Sequence, residues 1–316
     1  MKLYFCSDIH GSDTCWRKFL ATPKFYGANV IVVGGDITGK FVVPIIRHAN
    51  GHWTAEFLGL KREASTEEEL RKLEQQMAHS GHYGFRTTAE EAAAYAADQD
   101  AIDRLTKELM LARLGHWLEL ADERLKGGGV RCLVSPGNDD IFEVDDVLAH
   151  SEAVENPDGR VLELDGGIEL LGVGNANLTP WRCPRDIPEE DLAQRIEALA
   201  AQLVHPGRAI FSLHVPPYWS GLDTAPRVDD ELQVVMTGSG PELIPVGSTA
   251  VREALEKHQP LLSLHGHVHE SKGIARIGRT TAVNPGSEYG EGVLDGVLID
   301  IDEARGVVTG MQFVSG

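Results

Sequence analysis

Short apolar runs punctuate the chain, and five of them end in glycine, proline or a side chain able to bind a metal. Leu3-Tyr4-Phe5-Cys6 runs into Ser7-Asp8-Ile9-His10, and Val30-Ile31-Val32-Val33 ends in Gly34-Gly35-Asp36. Val130 to Val134 leads to Ser135-Pro136-Gly137-Asn138-Asp139-Asp140. Ala209 to Leu213 ends in His214-Val215-Pro216-Pro217, and Leu261 to Leu264 in His265-Gly266-His267-Val268-His269. β-rich runs of this length suit strands buried on both faces of an α/β sheet, where ligands gather beyond the strand ends.

Between the second and third runs the pattern changes. Phe41 to His48 and His52 to Leu58 are β-prone and flank Asn50-Gly51, a hairpin signal. From Lys61 to Lys126 the chain is rich in Ala, Glu, Leu, Arg and Gln. Ser65-Thr66-Glu67-Glu68 and Thr88-Ala89-Glu90-Glu91 look like capping boxes, and the second helix is expected to run to Lys126, before Gly127-Gly128-Gly129. Its latter part is expected to be a core helix. Roughly residues 60 to 100 read as a helical insertion, a hairpin on the core's edge in the simplest reading and a cap or dimer surface in the sharper one. Beyond it short strands return at 161–164, 168–173, 209–213, 261–264, 274–277, 280–283, 297–301 and 307–313, with helices over 189–203 and 251–258.

The chemistry follows from the side chains. His267 and His269 are two apart on an extended segment and point the same way. Neutral imidazoles so placed suit a divalent metal. Asp8, His10, Asp36, Asn138, His214, His267 and His269 make seven ligands, too many for one tetrahedral ion and suited to two ions sharing a carboxylate. The other histidines read as satisfied or surface residues, with His265 either supporting a ligand or packed at a strand end. Asp140 is expected to support a ligand histidine or to cap the next helix. Tyr218, Trp219, Ser287, Glu288 and Tyr289 are expected to line a substrate pocket or merely to pack.

In this order, Asp-x-His, Gly-Gly-Asp, Gly-Asn-x-Asp, a lone strand-end His and Gly-His-x-His resemble the calcineurin-like metallophosphoesterase superfamily. The resemblance spans Asp8 to His269. It implies one α/β domain over residues 1–316, a two-sheet β-sandwich flanked by helices. It implies one divalent ion held by Asp8, His10, Asp36 and His269, and another by Asp36, Asn138, His214 and His267. The activity it implies is that of a phosphatase or phosphodiesterase, hydrolysing a phosphomonoester or small phosphodiester through a hydroxide between the metals. The rivals are a nuclease or cyclic-nucleotide phosphodiesterase of the same superfamily, and a metal-binding regulator with little turnover. Mn, Fe, Zn, Co and Ni all suit the N/O ligand set.

One position departs from the family block: Asp139 stands where the resemblance calls for a histidine that contacts the phosphoryl group and assists the leaving oxygen. Asp139 is then a general acid, a group standing off while another side chain replaces the histidine, or a mark of weak hydrolysis. With cations close by, the reading is an ionised Asp139, a poor proton donor, and an enzyme that prefers activated esters.

Composition narrows the setting. Lys+Arg 29 against Asp+Glu 48 gives a net charge of −19, which repels polymeric nucleic acid and anionic membranes and leaves a small phosphorylated substrate. No stretch approaches membrane-spanning length, and no CxxC pair occurs among Cys6, Cys15, Cys132 and Cys183. The short segment before Asp8 leaves no room for a signal peptide, so the expected location is the cytoplasm.

Overall fold

The computed structural model describes residues 1–316. In chain order, β1 (Lys2–Cys6), α1 (Asp13–Phe19), α2 (Thr22–Tyr26) and β2 (Val30–Val33) open the fold. An inserted unit follows: β3 (Val42–Arg47), β4 (Trp53–Phe57), β5 (Leu60–Ala64), α3 (Glu67–His79), β6 (Tyr83–Thr88) and α4 (Ala89–Ala97). The long α5 (Gln99–Leu125) returns to β7 (Arg131–Val134), α6 (Val144–Leu148) and β8 (Val154–Glu155). Then come β9 (Arg160–Glu163), β10 (Glu169–Val173), β11 (Ala176–Asn177), β12 (Asp186–Ile187), α7 (Glu189–Ala200) and β13 (Ile210–Leu213). Four short strands form an arm: β14 (Thr224–Pro226), β15 (Met236–Thr237), β16 (Gly240–Pro241) and β17 (Leu243–Pro245). The chain closes with α8 (Thr249–His258), β18 (Leu262–Leu264), β19 (Gly273–Ile277), β20 (Thr280–Asn284), β21 (Asp295–Asp302) and β22 (Val307–Ser315).

Two six-stranded sheets face each other, in the orders β22-β21-β1-β2-β7-β8 and β19-β20-β18-β13-β10-β9. Side-chain alternation explains why their strands are apolar throughout. Leu3, Phe5, Val30, Val32 and Leu133 point inward and meet Leu170, Ile210, Leu262 and Leu264 between the sheets. The alternate residues Tyr4, Cys6, Ile31, Val33 and Val134 point outward onto Trp16, Phe19, Leu114 and Trp117 of α1 and α5. On the far side Leu171, Val173, Phe211 and Leu213 pack on Leu192, Ile196, Val251 and Leu255 of α7 and α8. The layers run helix, sheet, sheet, helix. A fully buried side chain of this kind contributes about 1.5–3 kcal/mol.

The insertion differs from the helices expected over about 60–100. Both capping boxes form, Thr66 with Glu69 and Thr88 with Glu91. They open α3 and α4, but residues 60–64 and 83–88 are strands, and β5 and β6 join the β3–β4 hairpin in a sheet of order β5-β4-β3-β6, on which Leu70, Leu73 and Met77 of α3 pack against Val43, Ile45 and Phe57. β5 reads Leu-Lys-Arg-Glu-Ala because it is an exposed edge, so its charged composition imitates a helix. Nor does one helix run from Thr88 to Lys126. Asp98 leaves helical geometry (φ −128°, ψ 99°), and its side chain accepts the Ala101 N–H, ending α4 and capping α5.

The insertion is tied to the core beside β1. The Arg113 guanidinium of α5 donates to the carbonyls of Gly11 and His82, both at 2.8 Å. It also stands 4.0 Å from the Tyr83 ring centroid. A Cβ added to Gly81 would lie 2.2 Å from the His10 carbonyl oxygen, so this close approach needs glycine.

Candidate metal centre

The predicted ligands leave the carboxyl ends of neighbouring parallel strands. β1, β2 and β7 lie side by side in the first sheet and carry Asp8 with His10, Asp36, and Asn138 just beyond their ends. β13 and β18 are parallel neighbours in the second sheet and carry His214, then His267 with His269. The two sets meet where the sandwich opens. Asp8, His10, Asp36 and His267 all adopt positive φ (57°, 39°, 50° and 67°). Each such non-glycine residue costs roughly 1–2 kcal/mol and persists only where the surroundings enforce it.

Two groups of donors result. His10 Nε2 lies 3.1 Å from His269 Nε2, and His269 Nε2 lies 3.4 Å from Asp8 Oδ1. His214 Nε2 lies 3.4 Å from Asp36 Oδ2, and His267 joins that group. The two are linked through Asp36, whose Oδ2 is also 3.7 Å from His10 Nε2. Asn138 Oδ1 lies 2.9 Å from His267 Nδ1, and its amide donates to Asp186 Oδ1 at 2.8 Å.

The donor set fits metal ions. His214 Nδ1 donates to the Gly34 carbonyl (3.1 Å), which leaves Nε2 as the nitrogen that can face a metal, and that buried atom has no hydrogen-bond partner. Burial opposes protonation of His214, yet the Asp36 carboxylate outweighs it and pushes the imidazole up to about 10. Burial would raise Asp36, but His214, His10 and His267 hold it well below the usual carboxylate range. Burial and the neighbouring His214 push His267 down to about 4. Buried carboxylates thus demand positive charge among imidazoles poised to ligate, the condition a divalent cation meets.

His10, Asp36, Asn138, His267 and His269 line the floor of a cavity of about 430 Å³, with Asp8 and His214 buried behind them. Its walls include Lys40, Phe41, Asp139, Trp181, Cys183 and Tyr289, with Pro226, Val228 and Val234 from the arm.

No family model matches the chain. An uncharacterised protein of Methanocaldococcus jannaschii is 31% identical over 156 residues, which span 48% of this chain and 62% of that protein. The crystal structure of a Thermus thermophilus protein aligns over 100% of this chain and 97% of its own, at 16% identity and a TM-score of 0.56. A second crystal structure aligns over 99% of this chain and 98% of its own, at 17% identity and a TM-score of 0.57. Both share the two-sheet fold.

The remaining candidates separate. Tyr289 reaches the site, its ring centroid 4.7 Å from that of His10. Tyr218 does not line the cavity; its ring leans on Trp219, 6.2 Å away between centroids. His265 is a packed strand end, its Nδ1 donating to the carbonyls of Leu213 (2.8 Å) and Val215 (3.1 Å), and burial pushes it down to about 4. Asp140 neither meets a ligand histidine nor caps α6; it accepts N–H groups of Ile37, Thr38 and Gly137 and the Thr38 hydroxyl. Its side chain sits on the loop backbone because that loop's N–H groups, buried with it, have no other acceptor.

Sequence reasoning missed Lys40, Trp181 and Asp186. Asp186 Oδ2 accepts from the backbone of Thr179 (3.0 Å) and Cys183 (2.9 Å), shaping the loop that carries Trp181. It thereby joins that loop to the candidate ligand Asn138. An aspartate ahead of a proline-initiated helix gave no local sign of this.

Proposed function

We propose that the chain is a metal-dependent phosphoesterase of the calcineurin-like superfamily, acting on a phosphomonoester or small phosphodiester. The observation that carries this reading is the convergence of Asp8, His10, Asp36, Asn138, His214, His267 and His269 at one site, where His10, Asp36, Asn138, His267 and His269 line the same cavity and Asp8 and His214 lie buried against them. One divalent ion is assigned to Asp8, His10, Asp36 and His269, and a second to Asp36, Asn138, His214 and His267. When bound, such a pair polarises phosphoryl oxygens and lowers the pKa of a water to the range of a neutral-pH nucleophile.

The chain's own residues do the rest. Asp186 orients the Asn138 amide so that its oxygen faces His267 and the cavity. Tyr289 packs against His10 and fixes that ring. The volume suits a small ester. Charge supports the same substrate class, since a chain of net charge −19 repels a polyanion at long range. No helix is long and apolar enough to cross a membrane, and a cytoplasmic setting is part of the proposal.

The test pairs elemental analysis of protein purified without chelator with assays on generic mono- and diesters. About two equivalents of metal and turnover of at least one ester class are expected, with Asp36→Asn losing both. Metal-replete protein that hydrolyses neither class would favour the regulator reading.

A further inference from the structure

We infer that Lys40 is a catalytic residue of this site: its ammonium, anchored by Asp139, takes the place at the leaving oxygen that Asp139 itself cannot fill. The inference rests on the phosphoesterase reading above.

Lys40 is the one lysine or arginine on the cavity wall. It stands four residues beyond Asp36 on a loop that is fixed rather than mobile. In that loop the Thr38 N–H and hydroxyl go to Asp140, and the Gly39 N–H goes to the Tyr83 hydroxyl at 3.1 Å. The ammonium lies 2.5 Å from Asp139 Oδ1. The Asp139 backbone N–H in turn donates to Asp36 Oδ1 at 2.9 Å, so the pair is built outward from the shared ligand.

Position gives the pair a direction. The Asp139 side chain is 14% exposed and that of Lys40 is 44% exposed, so the carboxylate lies inside and the ammonium reaches toward the mouth. A phosphate held on the floor must point its ester group that way. An ammonium has three N–H donors, and Asp139 takes one. The nearest other contact is weak, Cys183 Sγ at 3.9 Å, which leaves a donor for a ligand oxygen. The pair also removes the difficulty Asp139 poses alone. A bare carboxylate would repel the phosphate; paired, it is neutralised by the ammonium and fixes that group's bearing.

In the reaction, the bond from phosphorus to the ester oxygen breaks and an oxygen from water forms the new bond to phosphorus. One water proton ends on the leaving oxygen and the other on phosphate or solvent. Lys40 remains an ammonium throughout and donates an N–H bond to the leaving oxygen as negative charge develops there. The site then handles alkyl as well as aryl esters, which Asp139 alone would not allow.

The experiment uses the full metal-loaded chain, with Lys40→Gln and Lys40→Arg assayed on an aryl and an alkyl phosphate ester. Lys40→Gln should lose roughly 10²-fold in kcat on the alkyl ester and under tenfold on the aryl one, the asymmetry expected when leaving-group assistance is removed. Lys40→Arg should recover most of the loss. Metal content should not move, because Lys40 is no ligand, and Tm should shift little, because the ammonium end of the pair is 44% exposed. Inorganic phosphate, whose fourth oxygen takes the leaving position, should bind about tenfold more weakly to Lys40→Gln by calorimetry. Equal losses on the two esters, or none, with unchanged phosphate binding would overturn the role of Lys40. A wild-type protein that holds its metals and cleaves neither ester would overturn the phosphoesterase reading instead.

Discussion

Thr38 and Asp140 meet through two hydrogen bonds to one carboxylate oxygen, from the threonine N–H at 2.8 Å and its hydroxyl at 2.6 Å. The other oxygen accepts the N–H groups of Ile37 (2.9 Å) and Gly137 (2.8 Å). This one buried side chain therefore locks the loop carrying Asp36 to the loop carrying Asn138. Asp140→Asn replaces an acceptor by a donor facing N–H groups and should destabilise the fold by about 3 kcal/mol. Metal affinity should drop roughly 10–100-fold, as for other partners that orient ligands. Thr38→Val removes only the hydroxyl bond and should cost about 1 kcal/mol. Denaturant unfolding and metal titration read both, and wild-type metal affinity in Asp140→Asn would refute the lock.

Two glycines with similar backbones should behave differently. Gly81 (φ +81°) sits against His10, whereas a Cβ on Gly59 (φ +70°) would meet nothing within 4 Å. Gly59→Ala should cost about 1–2 kcal/mol, the strain of a left-handed residue alone. Gly81→Ala should cost more than about 3 kcal/mol and weaken metal binding, because the clash is with ligand-loop backbone. Equal melting shifts for the two variants would show that the inserted unit does not brace His10. Replacing residues 60–100 by a linker cuts through β5, α3 and β6 and should fail for the same reason.

Metal should stabilise the chain through His214. At a free ion concentration about 100 times Kd the expected gain is about 2.7 kcal/mol, reversed by chelator. His214→Ala should abolish most of this gain while Tyr218→Ala leaves it intact, since His214 belongs to a candidate ligand group and the Tyr218 ring packs on Trp219. Thermal melts with and without added Mn or Zn decide the matter.

Tyr83 supplies a pH dependence. Its buried hydroxyl accepts the Gly39 N–H, and burial raises its pKa to about 12, against the opposing pull of Arg113. The unfolded chain ionises this phenol near about pH 10 and the folded chain does not. Its contribution is thus complete below about pH 10 and lost as pH rises to about 12, amounting to about 3 kcal/mol. The difference in unfolding free energy between wild type and Tyr83→Phe should shrink across that window. A constant difference from about pH 8 to about pH 12 would contradict the shifted phenol.

The candidate ligands were legible because each sits at the end of an apolar run, where a strand's direction and its last side chain are both local properties. The sandwich was legible for the same reason: two-faced burial leaves uninterrupted runs such as Val30–Val33. Lys40 was not, since nothing near it distinguishes a lysine that turns into a cavity from one that points to water; its partner Asp139 lies far along the chain. Asp186 and the arm from β14 to β17 were hidden similarly. Strands two or three residues long carry no period, and Val228 and Val234 reach the cavity only through the loops between them. Of the inserted sheet, the β3–β4 hairpin was legible from its Asn-Gly turn, whereas β5 was read as helix because an exposed edge strand and an exposed helix favour the same charged residues.

β1, which leads into Asp8 and His10, is hydrogen-bonded on one side to β2 and on the other to β21. During synthesis β1 must therefore wait, with one edge unsatisfied, for a strand made long after it. A nascent chain extended only as far as Leu294 would carry every predicted ligand and still lack the strand that seats two of them. Under the proposed function, metal would then be loaded only after β21 has been made and has paired with β1.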